Sequence, residues 1–433
     1  MKRPEARPKV PGLERELRFG PGEMWWTPVV NEHPEVRAGD NFPPFVTICD
    51  ETLREGEETP GVILSLDDRL VIARKLEEVG VPEAEAGYVG AIPEHFEFSR
   101  ELKRSGTRLK LVSHTRTYTR ADEWKAEIDR AVEAGSDVLC LLASMSETLC
   151  ATTPWLPKAA VPDRIAASVE YTRSLGIIPA VTLVDGVRTP LDDFLLANRV
   201  AAEAGARRVY VMDGQGVALP ETASFLVRKL REVLGANVEI AVHFHDDFGL
   251  ATANTLSAIR AGASVVDVVV NGLGDKAGIG ALEEVVAALE ILYGVKTGID
   301  LSRLVALSEL VQERFRLPVA ANKSIVGPNT TRHQIDAHLA TILRGYWWAW
   351  ETIRPEFFGR QRSLEWARGK LRVGRSGALQ AKLESMGIEL SDKEFEQLAG
   401  RIRAAVDRLD VLSEDPLEAL IAERSPPGTI LRG

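Results

Sequence analysis

The sequence is poor in cysteine, with only Cys49, Cys140 and Cys150 among 433 residues. Their spacing matches neither a zinc-binding motif nor a dithiol redox motif, and an odd number cannot pair completely within one chain. Cys49 and Cys140 lie in apolar runs, where cysteine is most often a small core residue. The cysteines therefore favour a reducing compartment over a disulfide-stabilised secreted protein.

The sequence also lacks long apolar segments and a surplus of positive charge. No apolar run is long enough to cross a bilayer, and the polar, proline-rich N-terminus has no apolar core of a signal peptide. The formal net charge is −10, so no excess of cations is available to neutralise phosphates. We therefore expect a cytoplasmic protein that binds neither membranes nor nucleic acid.

What remains is the composition of an ordinary globular protein, with 45% hydrophobic and 27% charged residues. A chain of 433 residues is longer than a single small domain requires, which indicates one large domain with smaller additional segments. Trp25 and Trp26 are the large apolar residues of the first segment, where we expect them to anchor an arm. The predicted segments are an N-terminal arm at 1–44, a catalytic barrel at 45–297, a helical connector at 298–345 and a small C-terminal helical subdomain at 346–433.

One pattern recurs eight times between Phe45 and about Tyr293: a short β-branched run, a turn and an amphipathic helix. The predicted strands are 45–49, 82–87, 108–113, 137–142, 177–183, 207–212, 238–243 and 264–270. The predicted helices are 66–79, 93–104, 122–134, 163–175, 191–204, 221–234, 250–261 and 281–292, with 391–409 and 416–423 beyond the barrel. Eight such units predict an α/β fold, a (β/α)8 TIM barrel. An open doubly wound sheet is the alternative, but no glycine-rich fingerprint follows the first strand.

Two charged stretches follow predicted strands and indicate a metal site. Residues 50–58 carry six charged side chains in nine positions, and His243 and His245 stand two residues apart at the end of strand 7. Side chains at i and i+2 of a strand point to the same face, so both imidazoles can reach one ion. With a carboxylate from the first stretch they form a plausible divalent-metal site. His114 follows strand 3 at the same end of the barrel, where the active sites of such barrels lie.

Three motifs together resemble a known family of metal-dependent barrels. They are Asp-Glu-Thr-Leu-Arg-Glu-Gly-Glu at 50–57, His-Phe-His-Asp-Asp-Phe-Gly at 243–249 and Asn-Gly-Leu-Gly-Asp-Lys-Ala-Gly at 271–278. The family contains homocitrate synthase, isopropylmalate synthase, citramalate synthase and hydroxymethylglutaryl-CoA lyase. Within it the chain looks most like homocitrate synthase, because Glu55 follows the arginine and because the strand-3 motif 113–116 and the segment 322–327, with His333 and His338 beyond it, are similar.

The resemblance implies an acyltransferase that joins acetyl-CoA, or another acyl-CoA, to a 2-oxo acid in a Claisen-type condensation and then hydrolyses the thioester. A divalent metal (zinc, manganese, cobalt or magnesium) would be bound by Glu55, His243 and His245 and would make the keto carbon electrophilic. Arg54 would stabilise the developing alkoxide. His333 matches the catalytic histidine that relatives receive from a neighbouring subunit, which implies a homodimer.

The substrate-binding residues implied by the same motifs are Glu58, His114, Arg116 and Thr182. The sequence departs from the family at several pocket positions, where Ala180, Val184 and Gly214 stand in place of larger polar residues and Trp350 in place of a tyrosine. We therefore expect a 2-oxo acid other than 2-oxoglutarate, recognised at its distal group by His114 and Arg116.

Two alternatives stay open. A lyase or aldolase cleaving a related hydroxy acid is disfavoured, because the loop 271–280 lacks the cysteine of the family's lyases. A degenerate barrel kept as a binding subunit is disfavoured by the intact Arg54, Glu55, His243 and His245.

Overall fold

The computed structural model describes residues 8–118, 123–152, 156–367 and 377–423. It divides into two compact units. Arg37–Val319 form the first, here called the barrel unit, while Met1–Val36 and Ala320–Gly433 together form the second, the helical unit. The division differs from the predicted segments, because the N-terminal residues join the C-terminal ones and the predicted connector is shared between the two units.

The barrel unit is a closed barrel of eight parallel strands in chain order. Its last strand pairs with its first, with Val265 opposite Thr47 and Val268 opposite Asp50, so the sheet has no open edge. The predicted TIM barrel is confirmed, and the open sheet is excluded. The strands are β1 Thr47–Asp50, β2 Glu83–Gly87, β3 Lys110–Arg116, β4 Val138–Ala143, β5 Ile178–Leu183, β6 Arg208–Asp213, β7 Glu239–Phe244 and β8 Val265–Val268.

The helices around the barrel form where apolar residues recur at helical spacing, and most begin and end within two residues of their predicted bounds. They are α1 Leu66–Val79, α2 Pro93–Arg104, α3 Trp124–Ala134, α4 Val161–Ser174, α5 Leu191–Ala204, α6 Pro220–Val233, α7 Ala251–Arg260, α8 Leu282–Ala287 and α9 Leu304–Phe315. Helix α8 is shorter than predicted, because the chain continues as a π-helical turn, Ala288–Tyr293. At α1, Ser65 and Asp68 form a reciprocal capping box that fixes the first turn.

The interior of the barrel is filled, so the chemistry is confined to one end of it. A cluster of buried side chains packs inside the strands: Cys49, Val112, Val138, Cys140, Ala180, Tyr210, Ala241 and Val265. Below this cluster, at the amino ends of the strands, Arg208 and Glu83 form a buried ion pair. The polar residues of the predicted site follow the carboxyl ends, as in other barrels of this architecture.

The helical unit has its own core, formed by four helices and short two-stranded ribbons. Its helices are α10 Asp336–Leu343, α11 Gly377–Ser385, α12 Asp392–Leu409 and α13 Glu414–Ala422. Its ribbons pair Leu17–Phe19 with Trp26–Pro28, Arg332–His333 with Ser363–Leu364, and Trp366–Ala367 with Val411–Leu412. The N-terminal residues belong here because Leu13 and Trp26 pack against Trp347 and Trp348. Over the described ranges, no helix has the length and apolar composition needed to cross a bilayer.

Candidate active site

A cavity of about 240 Å³ opens at the carboxyl ends of the barrel strands. Its wall carries seven of the predicted site residues: Arg54, Glu55, Glu58, His114, Thr182, His243 and His245. They come from segments up to 191 positions apart in the chain (54 to 245), and the closed barrel brings them to one place.

Glu55, His243 and His245 form a buried group whose potential ligand atoms lie within 4.8 Å of one another. The Nδ1 atom of His243 lies 3.2 Å from both Glu51 and Asp267. Its Nε2 atom is buried and has no hydrogen-bond partner among the described residues. A histidine fixed at Nδ1 by a carboxylate and open at Nε2 is the usual arrangement of a metal ligand. The donor set of two imidazoles and one carboxylate therefore fits a divalent cation.

Glu55 is held in place by its neighbours on both oxygens. Arg54 Nη1 donates to its Oε2 at 2.6 Å, and the backbone N–H of Asp275 donates to its Oε1 at 3.0 Å. Burial opposes the charge of Glu55, but Arg54 and the two histidines outweigh it and lower the pKa of the carboxyl. Gly274, at φ +145°, is required beside it, because a Cβ there would lie 2.9 Å from Glu55 Oε1. The glycine-rich loop after β8 thus lets the backbone N–H of Asp275 approach the ionised side chain of Glu55.

Arg54 is buried among four carboxylates. Besides Glu55, it donates from Nε to Glu85 at 2.8 Å, from Nη2 to Glu51 at 3.2 Å and from Nη1 to Glu58 at 3.5 Å. Burial lowers the pKa of Arg54, but these carboxylates outweigh it and raise the pKa well above its ordinary value. Arg54 is therefore a fixed cation beside the metal-binding group, where an oxyanion can be stabilised.

His114 lines the cavity, with the buried Glu85 beside it. His114 Nδ1 is 3.1 Å from Glu85 Oε1 but is not aligned for a hydrogen bond. Burial, followed by the charges of Arg54 and His243, holds the pKa of His114 well below its usual range, so the ring is neutral. Burial also raises the pKa of Glu85 well above normal, although Arg54 opposes it. The wall therefore offers a neutral imidazole rather than a cation.

A model of the HMGL-like family matches residues 45–311, the barrel and its last helix. The chain belongs to the HMGL-like family. It is 39% identical to a putative (R)-citramalate synthase of Methanopyrus kandleri, over 89% of this chain and 74% of that one. It is 35% identical to a homocitrate synthase of the same organism, over 90% and 96% of the two chains. A 2-isopropylmalate synthase of Methanocaldococcus jannaschii is 34% identical, over 88% and 72%.

The family resemblance drawn from the motifs is confirmed by these relatives. All three carry the names of synthases, so the prediction of a synthase of this kind is also confirmed, and the lyase alternative has less support. An HMG-CoA lyase of Bacillus subtilis has the same fold, with a TM-score of 0.57 over 65% of this chain and 97% of that one. At 20% identity that likeness concerns the fold alone.

Thr182 and Glu58, which we predicted from the sequence to bind substrate, also line the cavity. Thr182 Oγ1 is buried and has no hydrogen-bond partner among the described residues, so a ligand can use it. Glu58 is half-exposed at the mouth, and burial raises its pKa although Arg54 opposes this. Val184 and Gly214 also line the cavity, whereas Ala180 belongs to the packed interior. A Cβ added at Gly214 would meet no atom within 4 Å, so this side of the cavity is wide.

Arg116 is not brought to the cavity. Its Nη2 donates to Glu127 Oε1 of α3 at 2.6 Å, and its backbone N–H donates to the other oxygen at 3.2 Å. Arg116 is the last residue of β3, and the buried carboxylate of Glu127 draws its guanidinium outward. The contact of Arg116 with the substrate stays a prediction; in this structure its guanidinium forms an ion pair with Glu127.

His333 lies in the helical unit and has a carboxylate partner there. Its Nε2 is 3.0 Å from Glu351 Oε1, and Arg362 donates to both oxygens of Glu351, at 2.6 and 2.7 Å. His338 stacks on Trp350 with 3.8 Å between ring centroids and forms no ion pair among the described residues. The helical unit thus presents two histidines, one fixed by a glutamate and one stacked on an indole.

Three buried carboxylates of the site were missed from the sequence: Glu51, Glu85 and Asp267. Glu85 gave a usable signal, because Glu83 and Glu85 alternate within a predicted buried strand, where unpaired carboxylates are rare. Asp267 gave the same signal within the predicted strand 264–270. Their partners lie on other strands, which local patterns do not reveal.

Proposed function

We propose that this chain condenses acetyl-CoA, or a similar acyl-CoA, with a short 2-oxo acid bound at the barrel cavity. The observation that carries the proposal is the buried Glu55–His243–His245 group beside the fixed cation of Arg54. A divalent ion held there would bind the carboxylate and keto oxygens of the 2-oxo acid and make its keto carbon electrophilic. The relatives named as synthases support this reaction class.

Each residue of the cavity has a role in this proposal. Arg54 stabilises the oxyanion that develops on the keto oxygen, since its guanidinium is already oriented by Glu85 and Glu51 and needs no reorganisation. Asp267 and Glu51 hold His243 through Nδ1 and leave its Nε2 for the ion. Thr182 donates its hydroxyl to the bound acid.

We infer that the acid has a small, uncharged tail. Among the described residues that line the cavity, Arg54 is the one arginine or lysine, and four carboxylates already surround it. A second carboxylate on the substrate would therefore have no cation to pair with, which is costly at a buried site. Pyruvate and its alkyl homologues fit this requirement, and 2-oxoglutarate does not.

The test is free thiol released from acetyl-CoA in the presence of a panel of 2-oxo acids. The protein is first treated with a chelator, and zinc, manganese, cobalt or magnesium is then added back separately. Thiol release should require both an acid and a metal, with short alkyl 2-oxo acids fastest. Cleavage of a hydroxy acid without any thiol release would favour the lyase. A preference for 2-oxoglutarate would contradict the uncharged tail.

We further infer a homodimer in which the helical unit of one chain supplies a histidine to the barrel of another. An inactive Arg54→Ala chain mixed in equal amount with an inactive His333→Ala chain should regain about a quarter of wild-type activity, because about half of the dimers are hybrid and each hybrid has one intact site. Repeating the mixture with His338→Ala in place of His333→Ala shows which of the two histidines completes the barrel site. Mixed dimers that stay inactive in both cases would contradict a shared site.

A further inference from the structure

A second cavity, of about 510 Å³, lies within the helical unit and shares no residue with the barrel site. Its apolar wall is made of Ile342, Leu343 and Ala381, from α10 and α11, and Trp347 lies on the same wall. Three arginines also line it: Arg344, Arg354 and Arg362. The volume falls within the range of about 300–1,000 Å³ that small-molecule sites occupy.

Two of the three arginines already have carboxylate partners. Arg344 Nε is 3.2 Å from Glu384 at the rim, and Arg362 donates twice to Glu351. Arg354 differs, because its side chain forms no ion pair and no hydrogen bond with any described residue. Its guanidinium lies 4.7 Å from the centre of the Trp347 ring, a cation–π contact that leaves its donors unused. The cavity therefore contains one arginine, Arg354, that has no carboxylate in direct contact among the described residues.

Two buried N–H donors on this wall also lack acceptors. Neither Nε of Arg354 nor Nε1 of Trp347 has a hydrogen-bond partner among the described residues. Trp347 is only 4% exposed, so solvent cannot satisfy its indole N–H. Buried donors of this kind are rare in folded proteins and costly unless a ligand pairs with them. Burial, together with the like charge of Arg362, lowers the pKa of Arg354, which an anion would reverse.

We propose that this cavity binds a small organic carboxylate with a short apolar tail. The carboxylate pairs with the guanidinium of Arg354, whose planar donors match its two oxygens. The tail packs against Ile342, Leu343 and Ala381, which give the cavity its apolar side. A bare inorganic anion would leave that apolar side unused.

The cavity is connected to His333 through one side chain. Arg362 lines the cavity and also fixes Glu351, which contacts His333. A carboxylate bound beside Arg354 attracts Arg362 and competes with Glu351 for its donors. Binding should therefore be visible at the His333 ring as well as at the Trp347 indole.

The experiment titrates full-length protein with isovalerate and follows binding by calorimetry and by the NMR signals of the Trp347 indole N–H and the His333 ring. The neutral analogue 3-methyl-1-butanol and inorganic phosphate serve as comparison probes. Arg354→Gln should weaken isovalerate by about 10- to 100-fold, the loss expected for a charged hydrogen-bonded pair. The matched control Arg344→Gln, which removes an already paired rim arginine, should change affinity by less than about 3-fold.

To distinguish binding at this cavity from binding at the barrel site, the titration is repeated with Arg54→Ala, which should bind isovalerate as the wild type does. Retained affinity in Arg354→Gln, loss of binding in Arg54→Ala, or no saturable binding to the wild type would each overturn the proposal. Phosphate binding as tightly as isovalerate would overturn the assigned ligand class. If Arg354→Gln does not fold, the proposal is still tested by whether isovalerate shifts the NMR signal of the Trp347 indole N–H in the wild type.

Discussion

Two buried arginines lie in the same barrel, one at each end of the strands, and their surroundings differ in kind. Arg208 begins β6 and donates to both carboxylate oxygens of Glu83, at 2.7 and 3.1 Å, and from Nε to Glu239 at 2.9 Å. Its donors are directed at carboxylates at the starts of two strands, Glu239 on the adjacent β7 and Glu83 on β2, which is not adjacent to β6 in the barrel. Arg54 follows β1 at the opposite end, where four carboxylates surround one guanidinium beside an open cavity.

The difference separates a structural ion pair from a functional cluster. At Arg208 two carboxylates, Glu83 and the half-exposed Glu239, face the guanidinium, and Lys110 Nζ lies 4.0 Å from Glu83 as a second cation. At Arg54 carboxylates are in excess, and a buried imidazole nitrogen of His243 has no partner among the described residues. Like charges held together without water cost free energy unless a cation joins them. The cluster at Arg54 is therefore arranged to hold an ion and to stabilise a reacting oxyanion. The ion pair at Arg208 instead stabilises the fold.

The largest effect should come from removing the imidazole with the open nitrogen. His243→Ala should abolish stoichiometric metal and reduce turnover by at least about 10,000-fold, equivalent to about 5.5 kcal/mol of barrier, because it removes one of the three ligands of the Glu55–His243–His245 group. Metal content by mass spectrometry and thiol release measure the two effects. His95→Gln, outside the cluster, is the control and should retain its metal. An active, metal-replete His243→Ala would show that the group is not the metal site.

The opposite end of the barrel should respond in stability rather than in activity. Arg208→Met removes both hydrogen bonds from Arg208 to the buried Glu83 and leaves it only Lys110, 4.0 Å away, so it should lower the free energy of unfolding by roughly 3–5 kcal/mol. Urea denaturation measures this loss, and activity per folded molecule should stay near that of the wild type. Arg303→Met removes an exposed pair with Asp300 and should cost less than about 1 kcal/mol. Equal losses in the two variants would mean that the buried pair is not structural.

The contrast between the two ends was only partly readable from the sequence. Helices 66–79, 93–104 and 191–204 match their predicted bounds, because helical periodicity is a local property. The metal group followed from motifs at strand ends. Arg208 with Glu83, and Arg54 with Glu85, are contacts between strands, set by how the barrel closes rather than by spacing. Likewise the N-terminal residues could not be assigned to the helical unit, because their aromatic partners lie more than 300 positions away in sequence.

A smaller effect is expected from keeping the charge of Arg54 and changing its shape. Arg54→Lys retains a cation but loses the planar fork that contacts Glu51, Glu55 and Glu85 together. Turnover should fall by about 100-fold, or about 2.7 kcal/mol, with the metal retained. The control is Arg69→Lys, a buried arginine paired with Glu57 in the adjoining loop, which does not line the cavity. If both variants lose activity equally, Arg54 acts through the fold rather than on the oxyanion.

The smallest effect tests the partly buried imidazole of His95, which lies near the cations of Arg69 and Arg54. His95 accepts a hydrogen bond from the backbone N–H of Tyr88 at 3.1 Å, and burial, followed by the charges of Arg69 and Arg54, lowers its pKa to about 4. In the unfolded chain the pKa of this imidazole is near 6.5, so the unfolded state binds more protons between these values. The stability that His95 contributes is therefore present above pH 6.5 and is lost as the pH falls towards 4.

Because His95 is partly solvated, we expect this contribution to be about 1–2 kcal/mol. Other groups titrate in the same window: burial raises the pKa of Asp50 to about 7, which stabilises the protein on acidification. The measurement is therefore the difference between wild type and His95→Gln in the free energy of unfolding at pH 7 and at pH 4.5. Glutamine can still accept from Tyr88 but takes up no proton, so the wild type should lose more stability on acidification. Parallel pH profiles would contradict a lowered pKa of His95 in the folded protein, whether from burial or from the charges of Arg69 and Arg54.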